Sequence, residues 1–128
     1  MKKTISVVGA VIYQDKKILC AQRPTNKSLG GLWEFPGGKI EPGETEKEAL
    51  EREIQEELKC EILVKEKITT TTYEYDFAII QLTTFKCELI SGIPILVEHQ
   101  AIDWLKVEDL MNLTWAPADI PTIKKIQK

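Results

Sequence analysis

The chain has 128 residues, of which 43% are hydrophobic and 29% are charged. This length and composition fit one globular domain and exclude two large ones. The longest apolar run, Ile5 to Tyr13, contains Gly9 and falls well short of the ~20 residues that a membrane-spanning helix needs. It is also too short for a secretory signal and no cleavage site follows it. We therefore expect a soluble, cytoplasmic protein without a membrane partner.

The net charge of −3 is unevenly distributed along the chain. Residues 39–61 hold nine glutamates against four lysines and arginines, so this segment carries −5 and the remainder carries +2. Binding to a nucleic-acid polymer needs a surplus of lysine and arginine on one face. The composition therefore argues against DNA or RNA as a partner and directs attention to the acidic segment.

The three cysteines, Cys20, Cys60 and Cys87, cannot all pair within the chain. No two of them have the close spacing of a zinc knuckle. We expect them to be reduced thiols.

Runs of β-branched and aromatic residues alternate with turn signals and two helical patterns. A hairpin is predicted around residues 14–16, a loop at 24–32, and a helix after Thr45-Glu46-Lys47-Glu48, which matches a capping box. The segments 61–75 and 77–89 make two long strands or a broken set of three. This order predicts a mixed β-sheet with helices packed on it. The other predicted strands are 5–13, 17–23, 33–35 and 101–105, and the helical segments are 46–58, 107–113 and 120–127.

The helix predicted over 46–58 combines an apolar stripe with a patch of carboxylates. Its buried stripe consists of Leu50, Ile54 and Leu58. Glu53, Glu56 and Glu57 have the spacing i, i+3, i+4, which projects their side chains to one patch.

This carboxylate patch is either a solvated acidic surface or a metal site. Few basic residues are placed to neutralise these carboxylates. Arg52 can reach Glu56 and Glu48, but Glu53 and Glu57 stay a like-charge pair at i, i+4. A cation would turn this repulsion into attraction. Carboxylates without a nearby histidine or thiolate are hard ligands, which suit Mg²⁺ or Mn²⁺ better than Zn²⁺.

The segment before this helix supplies a family resemblance. Residues 37–44, Gly-Gly-Lys-Ile-Glu-Pro-Gly-Glu, form a glycine-rich loop leading into the helix. Gly38, Glu44 and the run Arg52-Glu53-Ile54-Gln55-Glu56-Glu57 have the spacing of the Nudix box, here about residues 38–60. The chain thus resembles Nudix hydrolases, which act on nucleoside diphosphates linked to another moiety. It departs from the box at Lys59 and Cys60, where the family has glycine and an apolar residue, and we expect activity to survive this loss of a glycine helix stop.

The resemblance extends beyond the box to most of the chain. Residues 21–23 and 32–39 resemble segments of the MutT-type nucleoside triphosphate pyrophosphohydrolases, as do residues 98–100 and Trp104. Residues 116–121, Ala-Pro-Ala-Asp-Ile-Pro, are similar to the bacterial CTP pyrophosphohydrolase branch. The resemblance implies one Nudix domain over residues 1–128, with a mixed sheet sandwiched between helices.

The resemblance also implies metal-assisted hydrolysis of a nucleoside triphosphate to a monophosphate and pyrophosphate. Since triphosphate and acidic helix repel each other, a cation must bridge them, and we expect Mg²⁺, with Mn²⁺ as a substitute. Arg52 is expected to orient Glu53 through a charge-assisted hydrogen bond. Glu53 and Glu98 are the two candidates for the base that takes a proton from water. The implied metal ligands are Glu53, Glu56, Glu57, Glu98 and the carbonyl of Gly37.

Several residues are candidates for binding the substrate. Arg23 is either a phosphate contact or a surface charge. Asp119 is either the N-cap of the last helix or an acceptor for the amine of a cytosine or guanine-type base, and the base contact is preferred because the residues around it match the family. His99 is expected to be packed or hydrogen-bonded. The aromatic residues Trp33, Phe35 and Phe77 can stack a base, but single aromatic residues in strands more often belong to a core. The remaining substrate-binding candidates are Glu34, Phe35, Gly37, Gly38 and Lys39.

We therefore expect a nucleotide-pool enzyme, with oxidised dGTP as the first substrate to test. The alternative within enzymes is CTP or dCTP, with or without a 5-substituent. Two non-enzymatic hypotheses are a nucleotide or metal sensor and a protein-interaction domain that uses the acidic helix as its face. Whether the chain is a monomer or a homodimer is left open by the sequence.

Overall fold

The computed structural model describes residues 2–128, which form a mixed β-sheet, two α-helices and two short 3-10 helices. The acidic helix and its capping box lie where the sequence predicts them. The segment 61–89 forms two long strands. The strands are β1 (Thr4–Gln14), β2 (Lys17–Gln22), β3 (Trp33–Glu34), β4 (Gly37–Lys39), β5 (Glu61–Glu74), β6 (Ile79–Ser91) and β7 (Ala101–Lys106), and the helices are α1 (Glu46–Leu58), a 3-10 helix (Val107–Asn112), a second 3-10 helix (Pro117–Asp119) and α2 (Ile120–Ile126).

Strand β1 lies at the centre of the sheet, whose order is β3-β2-β1-β6-β5. It joins β2 through a two-residue turn in which Asp15 and Lys16 have φ angles of 53° and 66°, a turn whose twist suits an antiparallel hairpin. On its other side, β1 pairs with β6 in parallel along nearly its whole length. Strand β4 pairs with β1 and β7 pairs with β2. Both parallel and antiparallel pairs are present, so the sheet is mixed as predicted.

Both faces of the sheet are covered by helices. On one face, the predicted stripe of α1, Leu50, Ile54 and Leu58, is fully buried against β1 and β5. On the other face, Ile123 of α2 packs with Trp115 and with buried residues of β1 and β2. This arrangement confirms a mixed sheet between helices. Among residues 2–128, no helix is both long and apolar enough to cross a membrane.

Strand β4 was not expected, because residues 37–44 read as a glycine-rich loop. Gly37, Gly38 and Lys39 pair with β1 in antiparallel register, so backbone hydrogen bonding to an existing strand outweighs the low strand propensity of glycine. The approach is close: a Cβ on Gly37 would lie 1.9 Å from the carbonyl oxygen of Val8. Strand β4 therefore fixes the glycine segment against the centre of the sheet.

Helix α1 ends at Leu58 although the glycine stop of the box is absent. Lys59 adopts the left-handed conformation itself, with φ 57° and ψ 40°, and its N–H donates to the carbonyl of Gln55. This is the geometry that glycine adopts most readily after a helix. The substitution therefore leaves the helix end in place, at the expense of backbone strain in Lys59.

Candidate active site

The N-terminus of α1 is fixed by its cap, which sets the direction of the acidic patch. The Thr45 hydroxyl accepts the N–H of Glu48, and the Glu48 carboxylate accepts the N–H of Thr45. Glu48 therefore belongs to the capping box, and of the two glutamates within reach of Arg52 it is Glu56 that Arg52 binds.

Arg52 joins the loop before α1 to the carboxylate patch. Its Nε and one terminal nitrogen donate to the two oxygens of Glu44, at 2.6 and 2.9 Å. The other terminal nitrogen donates to Glu53 at 3.0 Å and to Glu56 at 3.2 Å. A further hydrogen bond, of 3.0 Å, reaches the carbonyl of Lys39 in β4. The guanidinium thus links β4 to α1 and holds the pKa of Glu44 down at about 2, and it orients Glu53 as predicted.

The Glu53 carboxylate lies directly against the backbone of Gly38. A Cβ on Gly38 would lie 2.4 Å from the carboxyl carbon of Glu53 and 2.6 Å from both of its oxygens. Burial raises the pKa of Glu53, and the Arg52 hydrogen bond only partly opposes this effect. Gly38 is therefore required by the position of Glu53, which is only 17% exposed.

Glu57 is the most deeply buried carboxylate of the patch, with 9% of its surface exposed. One of its oxygens accepts the N–H of Gly37 at 3.2 Å. Burial raises its pKa to about 8, and the negative charges of Glu34, Glu53 and Glu98 add to the rise. Glu98, from the loop before β7, lines a small cavity of about 140 Å³ together with Glu57.

The predicted metal ligands converge, but they do not form a ready-made chelate. No three histidine, cysteine, aspartate or glutamate side chains among residues 2–128 already have metal-binding geometry. Glu53 and Glu56 turn towards Arg52, whereas Glu57 accepts from Gly37. Every donor of the predicted set is nevertheless an oxygen, which matches a hard divalent cation.

Glu34 lies between two basic side chains. One of its oxygens binds a terminal nitrogen of Arg23 at 3.1 Å, and the other lies 2.9 Å from Nε2 of His99. Arg23 also donates to the carbonyl of Ser28 in the loop that follows β2. His99 is buried, so its expected role as a packed, hydrogen-bonded residue is confirmed.

A cavity of about 420 Å³ runs beside these residues. It extends from Glu57 and β4 to Asp119, and apolar side chains from β1 and β6 form part of its wall. Its lining includes every residue predicted to bind substrate: Arg23, Glu34, Phe35, Gly37, Gly38, Lys39 and Asp119.

Asp119 lines the cavity and is only 5% exposed. It occupies the N-cap position of α2, but among residues 2–128 its side chain makes no capping hydrogen bond to that helix. Instead, its Oδ1 accepts the N–H of Phe35 at 3.1 Å. Burial, reinforced by the nearby charge of Glu34, raises the pKa of Asp119 well above its usual range, although the Phe35 hydrogen bond and Arg23 oppose the rise.

The sequence interpretation missed Tyr75, whose ring lines the cavity next to Asp119. Its hydroxyl accepts the N–H of Ala118 at 2.8 Å, and its ring stacks on Phe77 with 5.3 Å between the centroids. Phe77 is 53% exposed and lines the same cavity, so it lies outside the core. No sequence pattern distinguishes Tyr75 from its neighbour Tyr73, because the fold rather than the local sequence brings it beside Ala118.

Comparison with known proteins shows which family and which proteins this chain resembles. The family model described as the NUDIX domain matches residues 7–125. A CTP pyrophosphohydrolase from Escherichia coli (strain K12) is 43% identical over 122 residues, which cover 95% of this chain and 90% of that protein. An 8-oxo-dGTP diphosphatase from the same strain is 31% identical over 128 residues, covering 100% of this chain and 99% of that protein. The solution NMR structure of the DNA mismatch repair protein MutT (family Nudix hydrolase) from methicillin-resistant Staphylococcus aureus 252 has a TM-score of 0.80 and 58% identity, and the match covers 98% of this chain and 97% of that one.

Proposed function

This chain belongs to the Nudix hydrolase family, and from that premise we propose that it is a Mg²⁺-dependent nucleoside triphosphate pyrophosphohydrolase that releases a nucleoside monophosphate and pyrophosphate. The proposal includes a single domain over residues 1–128. It also places the enzyme in the cytoplasm, as a monomer or a homodimer that acts on free nucleotides rather than on a nucleic-acid polymer.

The observation that carries the proposal is the lining of the cavity. It includes Glu57 with β4, a part that we call the acidic end, and the buried carboxyl group of Asp119, at what we call the second end. Apolar side chains such as Leu82 and the Tyr75 ring lie near the second end. A nucleotide has the complementary division, with a charged phosphate chain at one end and a flat base with hydrogen-bonding edges at the other.

Nudix hydrolases generally use divalent metal cations, and the residues at the acidic end suit Mg²⁺. The donors are carboxylate and carbonyl oxygens, and Gly38 lets the Glu53 carboxylate lie directly against β4. We assign the metal to Glu53, Glu56, Glu57, Glu98 and the Gly37 carbonyl, with Mn²⁺ as a substitute. When bound, the cation offsets the charge of the phosphates and lowers the pKa of water.

The protein's own groups orient the reactants. Arg52 holds Glu53 in position through a charge-assisted hydrogen bond of 3.0 Å. Either Glu53 or Glu98 accepts the proton of the water that attacks the β-phosphorus. Glu53 lies one turn before Glu57 on the same face of α1, and Glu98 lines a cavity of about 140 Å³ together with Glu57. Arg23, which lines the cavity and is bound to Glu34, provides the positive charge for the phosphate chain.

The base is recognised by Asp119, and oxidised dGTP is the first substrate that we assign. One carboxyl oxygen is held by Phe35, and the other has no hydrogen-bond partner among residues 2–128, so it is available to a base edge. Cytosine remains the second candidate because a relative 43% identical to this chain is named CTP pyrophosphohydrolase. Both bases present an amine to an acceptor.

The test is a substrate panel read as pyrophosphate release in the presence of Mg²⁺. The panel contains 8-oxo-dGTP, dGTP, CTP, dCTP and 5-methyl-dCTP, and we expect 8-oxo-dGTP to give the highest kcat/KM. Preference for a cytosine nucleotide would overturn the base assignment and keep the reaction. Absence of pyrophosphate release from all five would overturn the reaction and favour a nucleotide sensor.

Two variants of α1 control for the acidic patch. Glu57→Gln removes a proposed metal ligand and is expected to abolish turnover while the protein stays folded. Glu51→Gln removes the same charge from an exposed position on the same helix and is expected to retain activity. Equal activity of the two variants would exclude Glu57 from the site.

A further inference from the structure

His99 is a buried residue in a loop whose other residues are largely exposed. The Glu98 loop, residues 92–100, has no helix or strand, and Ile93 and Val97 are 82% and 50% exposed. Two backbone hydrogen bonds hold this loop to the rest of the protein. The N–H of Ile95 donates to the carbonyl of Leu58, and the N–H of Gln100 donates to the carbonyl of Gln22. The four residues between these ties include Glu98.

The side chain of His99 provides a further tie. Its Nε2 lies 2.9 Å from Oε2 of Glu34, and the other oxygen of Glu34 is bound by Arg23 at 3.1 Å. Glu34 belongs to β3, where it pairs with Ala21 of β2. His99 thus connects the Glu98 loop to the sheet through a carboxylate that is itself held in place.

Only one of the two ring nitrogens of His99 takes part in a hydrogen bond within residues 2–128. Nε2 donates to the Glu34 carboxylate, whereas the second ring nitrogen, Nδ1, is buried without a hydrogen-bond partner in the part of the chain that the structure describes. An orphaned buried nitrogen destabilises the folded state. A leucine would fill this position without that cost, so packing alone does not account for a histidine here.

The hydrogen bond between His99 and Glu34 matters because the residue next to His99 is Glu98. Glu98 is exposed, yet it lines a cavity of about 140 Å³ together with Glu57 of α1, and Glu34 and His99 line the same cavity. The peptide bond between Glu98 and His99 is planar and short, so anchoring the His99 ring restricts where the Glu98 carboxylate can go. We propose that His99 is a positioning residue, which through its hydrogen bond to Glu34 holds Glu98 beside the carboxylates of α1. This inference rests on the role that the proposed function gives to Glu98.

The kinetic test compares His99→Leu with His99→Gln. Loss of a supporting contact of this kind typically lowers activity or metal affinity by about 10- to 100-fold. We expect His99→Leu to lower kcat by at least about tenfold and to require more Mg²⁺, with KM for the nucleotide within about threefold of the wild type. His99→Gln retains an N–H able to reach Glu34 and should restore most of the kcat. Equal kcat in wild type and His99→Leu would overturn the proposal.

A double-mutant cycle separates positioning from general structural support. If His99 acts through Glu98, then His99→Leu added to Glu98→Gln causes no further loss of kcat. The thermal unfolding midpoint of His99→Leu should equal or exceed that of the wild type, because the orphaned Nδ1 is gone. Independent, additive losses in the cycle, or a lowered midpoint with equal kcat per folded molecule, would show a merely structural role.

A measurement without substrate or metal tests the tether itself. Backbone ¹⁵N order parameters of residues 97–99 should fall from about 0.85 in the wild type towards about 0.6 in His99→Leu, while those of α1 stay unchanged. Unchanged order parameters would overturn the proposal. Failure of all five nucleotides to release pyrophosphate would refute the proposed reaction instead, and the two failures are therefore distinguishable.

Discussion

Gly38 shows how a single missing side chain positions a carboxylate. Because a Cβ would lie 2.4 Å from the carboxyl carbon of Glu53, Gly38→Ala forces Glu53 away from its hydrogen bond with Arg52. We expect this variant to lose at least about 99% of its pyrophosphate release, a change of about 2.7 kcal/mol in transition-state stabilisation, while circular dichroism shows a folded protein. Gly31→Ala is the control, since Gly31 has φ 82° and no atom of the described residues 2–128 lies within 4 Å of its Cβ position. That variant should lose about 1 kcal/mol of stability and keep its activity, and the reverse pattern would contradict the assigned role of Gly38.

The raised pKa of Glu57 predicts how the stability of the metal-free protein depends on pH. Its pKa rises from the ordinary 4.5 to about 8 in the folded state. Between these values the folded protein keeps a proton that the unfolded chain releases, so the free energy of unfolding falls as pH rises. We expect urea unfolding in EDTA to show lower stability at about pH 8 than at about pH 6. Glu57→Gln should reduce this slope and be the more stable protein at the higher pH, whereas an unchanged slope would exclude Glu57 as its source.

At the scale of single elements, helix α1 ends in a strained residue. Lys59 holds φ 57° and ψ 40°, and a residue with a Cβ pays about 1 kcal/mol for this conformation. Lys59→Gly should therefore raise the free energy of unfolding by about 0.5–1 kcal/mol, with the gain reduced by the greater freedom of glycine in the unfolded chain. Lys59→Ala is the control because alanine adopts the same strained conformation, and it should bring no gain. Urea titration measures both, and equal stability of the glycine and alanine variants would contradict the strain argument.

The elements also show what the sequence could and could not predict. Local signals suffice for α1, because the capping box and the apolar stripe lie within its own residues, and for the hairpin at Asp15 and Lys16. They fail for β4, since Gly37 and Gly38 become a strand only through pairing with β1. They likewise fail to decide between capping and base contact for Asp119, because its partner Phe35 lies 84 positions away.

At the scale of the whole molecule, the cavity joins parts of the chain that are distant in sequence. Its acidic end depends on α1 and β4, which follow each other in the chain, so the spacing of the helix carboxylates already predicts that part, whereas Glu98 reaches Glu57 from the distant loop before β7. Its other end combines β6, Tyr75, which follows β5, and the 3-10 helix that contains Asp119. The parallel pairing of β1 with β6 brings these segments together, and such long-range pairing leaves no local sequence pattern.

This construction predicts that the two ends of the cavity bind their ligands independently. Bound ligand raises the thermal midpoint by mass action, by about 2.7 kcal/mol at 100 times its dissociation constant. In a thermal-shift assay, Glu57→Gln should lose the rise caused by Mg²⁺ and retain the rise caused by an uncharged nucleoside, either 8-oxo-2′-deoxyguanosine or cytidine. Asp119→Asn, which keeps an acceptor for the Phe35 N–H, should alter the nucleoside rise and retain the Mg²⁺ rise. Since substitutions at separate sites act additively, the double variant should show both losses, and loss of the nucleoside rise in Glu57→Gln alone would show that the ends do not bind separately.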